Sequence, residues 1–195
     1  QGDFPLRAAS YAVDPAAAEQ PPAYLSGLSI VPLGPRRHQL LGELAGRKIP
    51  PASVCFDKAC FRSGFAPQDA YLFLQGVQAA YNDANSLPRY TDQGQVWLVH
   101  NSSQIGHYYR NALFVSNGRN DTELQAAVRL DAAGRLGEFA MSSTTLDGYY
   151  GTDWQRAIFW QQGRWFVVLD RATVREPGLY ALQSVWRLPV GGAWN

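Results

Sequence analysis

A chain of 195 residues with 46% hydrophobic and 17% charged residues is long enough for one domain with a sizeable core and too apolar for a disordered acidic or basic segment. Seventeen Lys and Arg against sixteen Asp and Glu leave a net charge of +1, which provides no basic field for nucleic acid. No stretch approaches the roughly 18 apolar residues of a membrane span, so a soluble globular protein with neither nucleic-acid nor membrane partners is expected. Gln1 stands where a Met would open a nascent chain. The residues after it form neither a charged n-region nor an apolar h-region, so a processed chain or a piece of something longer is expected.

Residues 1–34 show little periodicity, and Ala and Pro dominate them from Asp14 to Ala23. They read as a linker or a surface-hugging arm. A helix comes next, at about 35–46: Pro35 suits a first turn, Leu40, Leu41 and Leu44 form a stripe, and Gly46 ends it before Pro50-Pro51. His38, in the basic run Arg36-Arg37-His38, reads as solvated.

Beyond Pro51 the pattern is of strands. Ala59–Arg62 and Ala70–Leu74 are short and bounded by turn residues, and Leu72 and Leu74 oppose Tyr71 and Phe73, which reads as a strand buried on both faces. Val96–Val99 has the same character, entered by the hairpin signal Asp92-Gln93-Gly94. Asp131-Ala132-Ala133-Gly134 reads as a second hairpin turn, and Gln161–Arg164 as a third, between Ala157–Trp160 and Trp165–Leu169. Leu179–Leu188 supplies a last strand with Tyr180, Leu182, Ser184 and Trp186 on one face. The fold class expected is all-β: an antiparallel, supersandwich-like β-sandwich at 51–195, preceded at 1–50 by an extended N-terminal arm and one short helix.

Several side-chain groupings suggest chemistry. A hairpin turning at Asp57-Lys58 would bring Cys55 and Cys60 together as a disulfide, the alternative being two reduced packing cysteines. His100 and His107, with Asp83, are a bare minimum for a metal site, and neither a metal nor a cofactor is expected. Arg62, Arg89, Arg110, Arg119, Arg156 and Arg164 are interleaved with Tyr81, Tyr90, Tyr108, Tyr109, Tyr149, Tyr150 and Trp154. Guanidinium forks and aromatic rings are what an acidic polysaccharide site uses. Asn101-Ser102-Ser103 and Asn120-Asp121-Thr122 are sequons. No phosphate loop, Gly-x-Ser-x-Gly elbow or His-Glu-x-x-His motif occurs.

The run Phe61-Arg62-Ser63-Gly64 to Asp69-Ala70-Tyr71-Leu72, then Asp83-Ala84-Asn85-Ser86, Tyr108–Val115, and Arg156 with Arg164–Arg171, resembles in order and spacing the β-domain of heparinase II/III-like polysaccharide lyases. The resemblance runs from about Pro51 to Pro189. It implies a bacterial, secreted or periplasmic protein that cuts uronic-acid-containing glycans, such as glycosaminoglycan or alginate, by β-elimination. It also implies two partners: an anionic polysaccharide, and an α/α toroid of the same parent protein that holds much of the chemistry. The family's His-x-His-x-Asp is replaced by Ala79-Ala80-Tyr81-Asn82-Asp83, its strand-end Asp by His100, and its metal-site His by Arg110. On these aligned positions Tyr81, Tyr109 and His107 are the expected catalytic groups, and Asp83, Asn85, His100 and Arg110 the expected substrate contacts. The alternative expectation is a non-catalytic carbohydrate-binding or structural module.

Overall fold

The computed structural model describes residues 26–46, 48–78, 83–100, 110–118 and 126–189. Among them are eleven β-strands and one α-helix, α1 (Pro35–Ala45). A five-stranded antiparallel sheet runs in the order β1 (Gly27–Pro32), β2 (Phe56–Arg62), β3 (Tyr71–Gln75), β4 (Arg89–Asp92), β5 (Gln95–Val99). A four-stranded sheet pairs β7 (Arg129–Leu136), β8 (Phe139–Tyr149), β9 (Thr152–Gln161) and β10 (Trp165–Val174) as successive hairpins, and β6 (Ala112–Ser116) pairs with β11 (Ala181–Val185). This is an all-β sandwich. Period-two alternation sends Ala59, Phe61, Leu72 and Leu74 inward from the first sheet to meet Leu146, Trp154, Ile158 and Trp160 of the second in one buried cluster. Each large apolar side chain among them contributes about 1.5–3 kcal/mol by burial.

Local chemistry sets the turns. Gln93 and Gly94 both take positive φ, 51° and 73°, as a two-residue type I′ hairpin requires, and the β4–β5 turn falls where the sequence signals it. The β9–β10 hairpin closes through 162–164 with Trp165 opposite Gln161 and Gly163 at φ 66°, also as expected. α1 starts with Pro35 in its first turn and ends at the left-handed Gly46.

Several expectations are corrected. Residues 27–32, inside the stretch read as an arm, form edge strand β1, paired with β2 from Gly27↔Arg62 to Pro32↔Phe56. Of the helix stripe only Leu41 is buried; Leu40 and Leu44 are exposed. His38 is held by the backbone, its Nε2 lying 2.7 Å from the Pro50 carbonyl oxygen. Asp131–Gly134 is no turn but part of β7. The turn lies at Gly137-Glu138, between the facing pair Leu136 and Phe139, where Gly137 takes φ 58°. Strand β5 buries Leu98 alone and exposes Trp97 and Val99, so it packs on the core through one face only.

The expected disulfide is absent. Asp57 and Lys58 lie inside β2 rather than at a turn, and five residues of extended strand separate the two cysteines by roughly 16 Å, far beyond the reach of a disulfide. Cys55 instead donates to the Pro50 carbonyl at 3.4 Å, and the Cys60 thiol lies 3.7 Å from the Tyr71 hydroxyl. Both sequons, at Asn101 and Asn120, lie outside the described residues.

Candidate functional site

Four of the expected site residues fall on three segments that meet beside the sandwich. The first is the link 83–88 between β3 and β4. It turns tightly, with Asn85 in the left-handed region at φ 63°, a conformation Asn tolerates better than most residues. Backbone bonds lock the link to β3: Asn85 N donates to Gln75 O at 2.8 Å and Gln75 N to Ser86 O at 2.9 Å. The second is the end of β5, where His100 N donates to Pro88 O at 3.1 Å. The third is Arg110-Asn111, leading into β6. Asn111 ties it to the others, accepting from Leu87 N at 3.0 Å and donating through Nδ2 to Leu87 O at 2.8 Å and Val99 O at 3.4 Å.

Asp83, His100 and Arg110 are thereby brought to one corner. The Ser86 hydroxyl donates to the Asp83 carbonyl and lies 3.2 Å from His100 Nε2, so it bridges the acidic residue's backbone to the imidazole. Arg110 is 2% exposed. Burial pulls its pKa down, and the neighbouring Asp83 carboxylate acts in the opposite direction to keep it charged. Arg110 is thus a buried cation with the Asp83 carboxylate among its neighbours.

Asn85 does not join them. It is wholly buried, its Oδ1 accepting from Thr144 Oγ1 at 2.7 Å and its Nδ2 donating to Trp154 O at 3.4 Å. Tyr81, His107 and Tyr109 lie outside the described residues, in segments 79–82 and 101–109 that adjoin the corner in sequence at Asp83, His100 and Arg110. Among the described residues no group of three or more His, Cys, Asp or Glu is arranged to hold a metal ion.

Behind the corner lies an ionic core. Arg156, on the inner face of β9, is 0% exposed. Its Nε and Nη2 donate to the two oxygens of Asp170 at 2.8 Å each, and Nη1 donates to Asn85 O at 2.9 Å and Asn111 O at 3.1 Å. Trp154 Nε1 also donates to Asp170 at 2.8 Å. One guanidinium thus fastens the second sheet to both the Asp83 link and the Arg110 segment. The sequence places Arg156 and Asp170 in a shared pattern, but nothing in it distinguishes a buried clamp from a surface arginine. Ser86 carries no signal beyond its place in the Asp83–Ser86 run.

A separate, open apolar cleft of ≈ 370 Å³ lies against the β7–β8 and β9–β10 hairpins, lined by Leu136, Phe139, Met141, Phe159 and Trp165 beside Arg135. None of the corner residues lines it, and its walls carry no acid, base or nucleophile suited to the expected chemistry.

No family model and no curated protein matches the sequence. Among solved structures, the heparan sulfate lyase HepC from Pedobacter heparinus is similar over 91% of this chain and 28% of its own, at 14% identity and a TM-score of 0.54. Heparinase III is similar over 63% of this chain and 22% of its own, at 18% identity and a TM-score of 0.49. The chain therefore spans less than a third of either solved protein. The fold is polysaccharide-lyase-like, and no helix among the described residues is long and apolar enough to cross a membrane.

Proposed function

We propose that the chain is the β-sandwich part of an exported polysaccharide-lyase-type protein. Its corner of Asp83, His100 and Arg110 receives an acidic, uronic-acid-containing glycan. The observation that carries this reading is the convergence of those three residues, distant in sequence, on one corner where Arg110 is a buried cation beside the Asp83 carboxylate. The likeness of fold to a heparan sulfate lyase supports the substrate class.

In β-elimination a base takes the proton from C5 of the uronate, the electron pair forms the C4–C5 double bond, and the C4–O bond breaks. The leaving oxygen takes a proton from an acid. The C5 proton becomes acidic enough only when the adjacent carboxylate is neutralised. Arg110 supplies that positive charge, with Asp83 setting its place, and His100 adds a hydrogen bond through its ring. Tyr81, Tyr109 and His107 are the proposed proton-transfer groups. An α/α toroid of the same parent protein is the proposed opposite wall of the cleft.

A second reading has its own support. The chain matches 28% of the lyase it resembles, and the Asn85 amide is spent inside the protein, which favours binding without turnover by the chain alone. Incubation with heparan sulfate and alginate, followed by ultraviolet absorbance of the new uronate double bond, separates the two. Absorbance that disappears in Arg110→Gln supports the lyase reading. Binding without absorbance, again lost in Arg110→Gln, supports the binding module. A folded chain that binds neither polymer contradicts both.

A further inference from the structure

The outer face of the five-stranded sheet combines cations with aromatic rings. Because Ala59, Phe61, Leu72, Leu74 and Leu98 point into the core, the alternate positions point out. Those outward positions include three cations, Lys58, Arg62 and Arg89, and three aromatic residues: Trp97 and Tyr71, which are exposed and half-buried, and Phe73, which is covered at 7% exposure. Register places them side by side: Arg62 opposite Tyr71, and Phe73 opposite Arg89, which is in turn opposite Val99. The Arg62 guanidinium lies 4.0 Å from the Tyr71 ring centroid, Lys58 Nζ lies 5.4 Å from that of Phe73, and the Tyr71 and Phe73 rings stack at 16°. Trp97 is 50% exposed while its indole N–H donates to Asp92 O at 3.3 Å, an arrangement that fixes the ring and leaves part of it open.

The outward positions of β2 to β5 hold no Asp or Glu, so three positive charges gather on one face of a chain whose net charge is +1. Lys58 and Arg62 on β2 stand two strand spacings, about 10 Å, from Arg89 on β4. Two accessible rings, Trp97 and Tyr71, among spaced cations suit a polymer that offers apolar ring faces and anionic edges. His100 follows Val99 directly in the chain, so the strand that carries Trp97 leads to the Asp83–His100–Arg110 corner.

We propose that the outer face of the five-stranded sheet is a second contact for an acidic glycan, held by Lys58, Arg62 and Arg89 and stacked on Trp97, so that the polymer is gripped outside the corner as well as in it. The choice of ligand rests on the reading of the corner; the face itself rests on register and charge.

The test is titration of the full chain with a heparin oligosaccharide at several salt concentrations. The variants are Lys58→Gln/Arg62→Gln/Arg89→Gln, Arg89→Gln alone, Trp97→Ala and Arg110→Gln, each checked for native circular dichroism. The triple variant is expected to bind at least about tenfold more weakly. Its slope of log affinity against log salt is expected to fall by about 2–3, near one unit per cation as for other polyanions. Arg89→Gln, an exposed residue outside the ring contacts of Lys58 and Arg62, should lower the slope by about one even if the triple variant misfolds. Trp97→Ala should weaken binding by roughly 2- to 10-fold with the slope unchanged, the range of one aromatic contact.

Binding that Arg110→Gln weakens while Arg89→Gln and the triple variant leave affinity and slope unchanged overturns this face and spares the corner. A wild-type chain that binds no acidic glycan overturns both. Equal affinity for single-stranded DNA of the same charge, unaffected by Trp97→Ala, overturns the glycan assignment.

Discussion

Replacing Arg156 by Met tests whether the ionic core behind the corner is a clamp. The methionine keeps most of the side-chain volume and removes five donors. Asp170, which lies 12% exposed beside Arg156, then retains the Trp154 indole as its other described partner. The carbonyls of Asn85 and Asn111 each lose a bond. Breaking a buried pair costs about 3–5 kcal/mol, and each orphaned carbonyl adds to that. The expected loss is at least about 4 kcal/mol, or about 8–16 °C in Tm for a chain of this size. Denaturant titration monitored by tryptophan fluorescence measures it. The double variant Arg156→Met/Asp170→Leu leaves no uncompensated charge and should recover a good part of the loss. If Arg156→Met cost less than about 1 kcal/mol, or the double variant were worse than the sum of the singles, the clamp would not exist.

Other consequences are open to measurement. Burial, with a smaller contribution from Asp147, pushes the Cys55 thiol up to about 11, and burial together with Asp92 pushes the Tyr90 phenol up to about 12. Both folded values exceed the ordinary values of 9.0 and 10.0. The stability they contribute is therefore complete below about pH 9 and is lost as pH rises through the folded values; denaturant midpoints should fall over that range, less so in Cys55→Ala. Thiol titration of the denatured chain should find two thiols, since no disulfide joins Cys55 and Cys60. Gly76→Ala would drive a Cβ to 2.2 Å from the Phe56 carbonyl oxygen, and a loss of about 2 kcal/mol or more in thermal unfolding is expected. Asn85→Ala should destabilise more than Asn85→Gly, because both lose the Thr144 and Trp154 bonds but only glycine accepts φ 63° without strain.

Where a feature depends on neighbours in sequence, it is legible there. Gln93-Gly94 dictates its own hairpin, and short apolar runs bounded by turn residues declare β3, β9 and β10 as strands. Asp131-Ala132-Ala133-Gly134 has the composition of a turn, yet its Asp is satisfied inside the sheet. Asp131 occupies a bulge between Leu130 and Ala132, pairs with Arg129 at 2.6 Å and accepts from Thr145. The weaker signal at Gly137 wins because its φ suits the twist of the flanking strands. Strand β1 escapes a reading by pattern because an edge strand with one buried face needs few apolar residues. The Cys55–Cys60 pairing fails because spacing does not say whether a chain turns or runs straight.

The candidate site divides along the same line. Asp83, His100 and Arg110 are legible through a resemblance in motif order, and the fold brings them to one corner through Asn111. Asn85 belongs to the same run, but whether its amide faces a ligand or Thr144 is decided by residues about 60–70 positions away. The role of Arg156 depends on contacts with Asn85 and Asn111, which no local pattern encodes.

The most direct test of the central claim is calorimetric titration of the full chain with heparan sulfate oligosaccharides, alongside a neutral dextran and the Arg110→Gln variant. Saturable binding of the acidic glycan, none of dextran, and at least about tenfold weaker binding in Arg110→Gln, the scale of one charge-assisted contact, is the result predicted. Affinity for heparan sulfate that is unchanged in a folded Arg110→Gln chain, or absent from the wild type, would contradict the account.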